Sequence, residues 1–226
     1  MNVNALPMVH HGDLELSHEA ILVRDALAEL GLETPMVETG LSGDQKYQRI
    51  AGLMKEAVAT LGLDLTDDSL IETPHRIAKM FVREIFSGLD YRNFPKISLF
   101  ENKFGANEMI KVSNIGLIST CEHHFATIDG ICRVAYIPGK QLVGLSKINR
   151  VARFFAQRPQ IQERLTRQIQ VALQILLQTD DVAVAIDATH YCVKSRGVMD
   201  SGSKTRTSAL GGCFVADVHV SAEFFR

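Results

Sequence analysis

No stretch of this chain stays apolar for the roughly 18 consecutive residues that a membrane-spanning helix needs. The N-terminal run "MNVNALPMVHHGDLELSHEA" has no basic region followed by a hydrophobic one. The expectation is therefore a soluble, cytoplasmic protein with no membrane partner. Cysteines number only four in 226 residues, too few for a disulfide scaffold; two of them lie close to histidines, which favours thiolate chemistry over bridging. An excess of one charge is missing too. The formal net charge is -2 and no basic tail or stripe dominates, which argues against a nucleic-acid partner. A small anionic ligand, needing only a local cluster of Lys and Arg, stays open. Internal repeats and low-complexity segments are also absent. What is present is enough apolar residue, 46% against 22% charged, to bury the core of one domain with an extension, or of two small ones.

Hydrophobic spacing organises the chain as a helical extension over 1–43, a helical part over 44–106 and a mixed part over 107–226, together one functional domain. In the extension, Ser17 is a candidate N-cap for a helix over 17–30 closed by Gly31, and the region reads as peripheral. A second helix is expected over 43–61, where Ile50, Leu53, Met54, Ala57, Val58 and Leu61 recur at helical spacing. A third is expected to start with Thr73 as N-cap and Pro74 at the first helical position, and to run towards Gly88. From about residue 107 the pattern becomes β-like in "MIKVSNIGLIS", "FATIDGICRVAYIP" and "VAVAIDATHYCV". Two helices intervene, "SKINRVARFFAQ" from Ser146 and a second over 160–177 with Ile161, Leu165, Ile169, Ala172, Leu173 and Leu176 on one stripe. Strands, a helical pair, then strands again predict an α+β fold rather than alternating βαβ units.

The segment "STCEHHFATIDG" places Cys121, His123 and His124 beside Glu122. Cys121 and His124 form a C-x2-H pair that a turn could close on one ion, although a buried Cys more often packs as a small hydrophobe. If 182–193 is a strand, alternation puts His190 and Cys192 of "HYC" on one face, in line with Val182, Val184 and Ile186. Two thiolates and one imidazole suit zinc, and the set Cys121, His124 and Cys192 would leave its fourth position open for a water near neutral pKa. His123 and His190 would be left over as proton donors or acceptors. The alternatives are a closed four-ligand site or two unrelated core cysteines. Cys132 shares a face with Val134 and Tyr136 and reads as core; Cys213, after two glycines, takes no role.

Arg76, Lys79 and Arg83 fall at i, i+3 and i+7, and Lys147 and Arg150 at i, i+3; such spacing usually marks a solvated face. Yet Ser146 could cap its helix, and Lys147 in the first turn opposes the helix dipole, a placement that an anion bound there would explain. Arg196 in "CVKSRG" could add a donor from the metal side. Glu163 sits four residues before Arg167, so spacing favours a surface pair, although a carboxylate could also accept two N–H bonds from a guanine edge.

Taken together, "DDSLIETPHRIAKMF", "EIFSGLDYRNFPKI", "STCEHHFATIDG", "VAYIPGKQLVGLSKINR", "FFAQRPQIQERLT", "HYCVKSRGV" and "TSALGG" resemble the GTP cyclohydrolase I family over residues 45–214. These are zinc hydrolases that convert GTP and water to 7,8-dihydroneopterin triphosphate and formate. The resemblance implies Cys121, His124 and Cys192 as zinc ligands, His190 as general acid/base and His123 as a neighbouring catalytic histidine. It implies Glu163 as the guanine-holding carboxylate, against the surface pair. Arg76, Lys79, Lys147, Arg150 and Arg196 would surround the triphosphate, with Ser146 near the ribose and phosphates. The implied fold is the tunnelling fold, an antiparallel four-stranded sheet with two antiparallel helices behind a helical extension. The implied assembly is a homodecamer of two pentameric rings with active sites at subunit boundaries. The implied chemistry opens the imidazole ring of GTP at C8, releases formate, and recloses a six-membered pterin ring through a keto sugar. That product feeds folate, biopterin and modified-nucleoside synthesis, folate being the default. Residues 1–43, Lys204, Arg206 and the tail after Phe214 depart from the family pattern. The rivals are another tunnelling-fold enzyme acting on a pterin or deazapurine, and a non-catalytic zinc module.

Overall fold

The computed structural model describes residues 16–226, so the first 15 residues of the expected extension lie outside the described residues. Helix α1 (His18–Glu29) starts where Ser17 accepts the amide of Ala20 at 3.1 Å. Helix α2 (Gly43–Thr60) opens on a reciprocal cap, Ser42 and Gln45 each accepting the other's backbone amide. Thr73 does not cap α3 (Thr73–Lys79). It is already helical, Glu72 precedes it without a side-chain bond, and Pro74 sits at an early position where no amide is needed. Past Lys79 the same helix widens to i→i+5 turns through Met80–Ile85.

Strands β1 (Leu99–Glu101) and β4 (Gln141–Val143) form a small antiparallel pair. The main sheet contains β2 (Ile110–Cys121), β3 (Thr127–Tyr136), β6 (Val182–His190) and β7 (Thr205–Leu210), antiparallel and adjacent in that order. A two-residue β5 (Pro159–Gln160) adds in parallel beside Thr120 and Cys121. The fold is thus mixed α+β, as the pattern of strands around a helical pair implied.

Alternation along β3 and β6 divides the two faces. Cys132, Val134, Tyr136, Val182, Val184 and Ile186 share one core with α4 (Leu145–Ala156) and α5 (Gln162–Leu177). Ala135, Ala183 and Ala185 face the other way and meet Phe214 and Phe224 from α7 (Cys213–Ala216) and α8 (Val218–Phe225). Small residues there admit the C-terminal rings directly onto the sheet. Cys132 is fully buried, and burial pushes its thiol up to about 12.

Two expected boundaries shift. Ser146 does not cap α4: the chain leaves β4 at Gly144, whose amide donates to Ser98 O at 3.1 Å, and the helix begins at Leu145. The strand expected over 182–193 ends at His190, which pairs with Ile128 one residue from the start of β3. The chain there winds into a single turn, α6 (Tyr191–Lys194). Helix α1, meanwhile, buries Ala20, Val23 and Leu27 in the main core, and Gln168 Nε2 donates to Leu32 O at 2.8 Å.

Candidate metal and substrate site

Thr120 pairs with Thr127 and Ile128 pairs with His190, so the ends of β2 and β6 flank the start of β3. Close approach helps: a Cβ at Gly130 would stand 2.4 Å from Asp187 O and 2.5 Å from Ala188 Cβ, so only glycine lets β3 lie this near β6. Two residues beyond His190, within the turn α6, Cys192 swings back. The sulfur atoms of Cys121 and Cys192 and a ring nitrogen of His190 all lie within 4.8 Å of one another. Helical rather than strand geometry therefore delivers Cys192 to the site.

The electrostatics favour a cation there. Cys121 is buried, and both cysteines are free thiols. Burial raises the Cys192 thiol above its usual value, Cys121 beside it adds to the rise, and Arg196 opposes it. A positive ion at the cluster would offset the cost that burial puts on a Cys192 thiolate. With an imidazole alongside, the donor set fits zinc. Burial also lowers the pKa of His190, an effect that Glu163 partly offsets by its charge.

The turn after Cys121 is tightly held. The Cys121 amide donates to Ala126 O at 2.7 Å and the Phe125 amide to Cys121 O at 2.8 Å. Phe125 pays for this with φ 50°, a left-handed conformation that costs a bulky residue energy. Its ring packs on Phe81 and Phe86 at centroid distances of 5.8 and 5.1 Å, which fixes the strained residue in place. On this turn, His123 Nδ1 stands 3.6 Å from Cys121 Sγ. His124 is not in the thiol–imidazole cluster; its Nε2 accepts from Arg196 Nη1 at 2.8 Å. The structure thus brings together Cys121, Cys192 and His190, and places His124 with Arg196 at the exposed side of the same turn.

Glu163 lies exposed in the first turn of α5, and no ion pair among the described residues joins it to Arg167, which instead donates to Gln170 Oε1 at 2.6 Å. Ser146, Lys147 and Arg150 occupy the start of α4 with Ser146 and Arg150 exposed. Arg76 and Lys79 lie exposed on α3, where Lys79 approaches Glu84 at 4.0 Å. Among the described residues, no hydrogen bond or ion pair links Arg76, Lys79, Lys147 or Arg150 to the cluster.

Several residues that spacing did not single out support the site. Glu122 donates its amide to Gln160 O at 3.0 Å and accepts from Arg164 Nη2 at 2.5 Å, so β5 and α5 both grip the turn. Gln162, almost fully buried, accepts from His190 Nε2 at 2.7 Å. Gln162, Thr166, Gln170 and Gln174 recur every fourth residue on α5, a polar stripe beside the apolar one. Gln162 donates to Ile186 O and Thr205 O, Thr166 shares a hydrogen bond with Thr207, and Gln170 and Gln174 donate to Val182 O and Asp180 O. That period of four was the available signal: amides on a core-facing helix need partners that only the sheet can supply.

Comparison with known proteins agrees with this geometry. The family model for GTP cyclohydrolase I matches residues 50–226. The GTP cyclohydrolase 1 of Tolumonas auensis is 64% identical over 209 residues, covering 92% of this chain and 97% of that protein. That of Shewanella loihica is 62% identical over 211 residues, with 93% and 99% covered. That of Aliivibrio fischeri is 63% identical over 209 residues, with 92% and 96% covered. A match over most of the chain, with a thiol and imidazole cluster at the strand ends, makes this chain a member of the GTP cyclohydrolase I family.

Proposed function

We propose that the protein hydrolyses GTP to 7,8-dihydroneopterin triphosphate and formate. The observation that carries this is the convergence of Cys121, Cys192 and His190 at the strand ends of a chain that belongs to this family. Cys121, Cys192 and His124 would hold one zinc ion per subunit. Arg196 Nη1 donates to His124 Nε2 at 2.8 Å, so that nitrogen would have to give up the guanidinium hydrogen bond before its lone pair could reach the ion. His190 is then the proton carrier. When bound, the ion supplies a Lewis acid that lowers the pKa of water at neutral pH.

The chain's own residues do the rest. The carboxylate of Glu163, at the start of α5, would accept the ring N–H and amino N–H of guanine and so present C8 to the cluster. Ser146, Lys147, Arg150 and Arg196 would bind the ribose and triphosphate, with Arg76 and Lys79 reaching them from another subunit. Water adds at C8, and His190 protonates the ring nitrogen released as the C8–N bond breaks, leaving a formamide. A second water removes formate. His123, beside Cys121, would serve the proton transfers that convert ribose to a keto sugar, whose carbonyl condenses with the freed amine. Binding energy from guanine and triphosphate positions the reacting carbon rather than reacting itself.

The tunnelling fold and a homodecamer with active sites at subunit boundaries complete this reading. Support comes from Arg76 and Lys79, which have no partner in the cluster of their own chain, and from Ile118 and Ile131, exposed on the sheet. Incubating the zinc-loaded protein with GTP, oxidising the mixture and measuring pterin fluorescence with released formate tests the proposal. Absence of both products overturns it. Mass measurement in solution tests the decamer.

A further inference from the structure

The proton-carrying histidine has two ring nitrogens, and the structure commits one of them. Gln162 lies within the core at 1% exposure. Its amide nitrogen donates to Ile186 O at 3.0 Å, to Thr205 O at 3.0 Å and to Thr207 Oγ1 at 3.1 Å. Two of these partners are backbone carbonyls, which only accept. Turning the amide over would set its oxygen against both of them with no water to intervene, leaving buried acceptors unpaired. The amide orientation is therefore dictated by β6 and β7. The oxygen that remains faces His190 Nε2 at 2.7 Å, and an oxygen without a proton can only accept. His190 Nε2 must then carry hydrogen.

From this geometry we infer that Gln162 is a positioning residue that locks His190 in the Nε2–H tautomer by accepting from that nitrogen with an amide whose orientation β6 and β7 dictate. This rests on the reading of His190 as proton carrier. The arrangement resembles in physical terms the outer-shell carbonyls and carboxylates that fix ligand imidazoles by accepting from their second nitrogen. The difference lies in who sets the acceptor: here it is held by the backbone of β6, the strand that ends in His190, and of its neighbour β7. Because Gln162 immediately precedes Glu163, the same first turn of α5 would orient both the proton carrier and the guanine contact.

The test is two-bond 15N–1H spectroscopy of the zinc-loaded protein with 15N-labelled histidine, the His190 signals assigned by their loss in His190→Ala. The expected result is a protonated Nε2 and an unprotonated Nδ1 without a metal-induced shift. Gln162→Leu should release the tautomer and lower kcat on the order of ten- to a hundred-fold with little change in KM. Gln162→Glu, whose neutral carboxyl can donate to Ile186 O and still accept from Nε2–H, should keep the tautomer and recover most of kcat. A resting protein with hydrogen on Nδ1, or a Gln162→Leu protein with unchanged tautomer and kcat, overturns the inference. If Gln162→Leu does not fold, the wild-type spectrum and Gln162→Glu decide. The spectrum is read without GTP, so a wild type that makes no pterin would sink the proposed activity and leave the tautomer assignment standing.

Discussion

Glu33 and Arg158, 125 residues apart in sequence, meet at 2.5 Å, Arg158 Nη1 donating to Glu33 Oε1. Arg158 is fully buried, with its guanidinium 4.9, 4.8 and 4.8 Å from the ring centres of Tyr91, Phe154 and Phe155. Tyr91 also donates its hydroxyl to Glu33. The two guanidinium nitrogens without a hydrogen-bond partner, Nε and Nη2, have aromatic faces as compensation. Among the described residues Glu33 is thus the one carboxylate paired with this buried cation, and removing one member of such a pair strands the other. Glu33→Ala should destabilise the protein by about 3 kcal/mol. A lowered urea midpoint at unchanged m-value is the expected readout; an unchanged midpoint means the rings alone stabilise the charge.

The same pair reaches towards the turn that follows Cys121. Arg158 is followed directly by Pro159 and Gln160, which pair with Thr120 and Cys121, and Gln160 O holds the Glu122 amide. Glu33, which lies before the span of the family model, thereby braces the site through Arg158 and its covalent neighbours.

Zinc content should separate the histidines. Cys121→Ala, Cys192→Ala and His124→Ala should each lose zinc and turnover together, measured by metal analysis of the purified proteins. His190→Ala should retain zinc and lose turnover. Zinc retained in His124→Ala and lost in His190→Ala would assign the ligand role to the histidine that already stands within the cluster.

Glu163→Gln keeps the size of the side chain and removes one acceptor. Losing a charge-assisted hydrogen bond should cut kcat/KM for GTP by about 10- to 100-fold, with less effect on ITP, which lacks the amino group. Equal losses for the two nucleotides would return Glu163 to a solvent-facing role.

Cys132, raised by burial from 9.0 to about 12, makes a statement about alkaline stability. The folded thiol holds its proton where the unfolded thiol loses it, so stability falls as pH rises from 9.0 through about 12. Below pH 9 the contribution is fully present. Cys132→Val should therefore lose less stability than wild type over that window, measured by urea unfolding at pH 7 and pH 10. Parallel declines would reject the assignment. Native protein should also leave Cys132 unlabelled by a maleimide at pH 8.

How much of this was legible depended on where each residue's partner lies. Helix α2 was visible because its apolar spacing is local, whereas the Ser42–Gln45 cap at its start emerged with the structure. Cys192 was visible as a site residue but for a partly wrong reason: alternation would carry it on a strand, whereas the ladder runs out at His190 and a helical turn brings it round. Ser146 and Thr73 look like caps in sequence, yet the point where a helix starts is set by the preceding chain, at Gly144 and Glu72. Gln162 escaped notice because the period of four that it shares with Thr166, Gln170 and Gln174 marks a polar stripe, while only the sheet packed against that stripe makes it buried.

The sequence by itself determined the chemistry available: two cysteines and three histidines in short motifs, an acidic residue opening α5, and the strand and helix order that makes an α+β fold. Side-chain type and periodicity are local properties, and they survive in any conformation. Tertiary structure decided which of those groups meet. Antiparallel pairing through β3 set the ends of β2 and β6 together, the buried Gln162 amide chose the hydrogen-bearing nitrogen of His190, and Arg158 tied residue 33 to the turn that follows Cys121. Each is a non-local contact, whose partner is dictated by register and burial rather than by spacing along the chain.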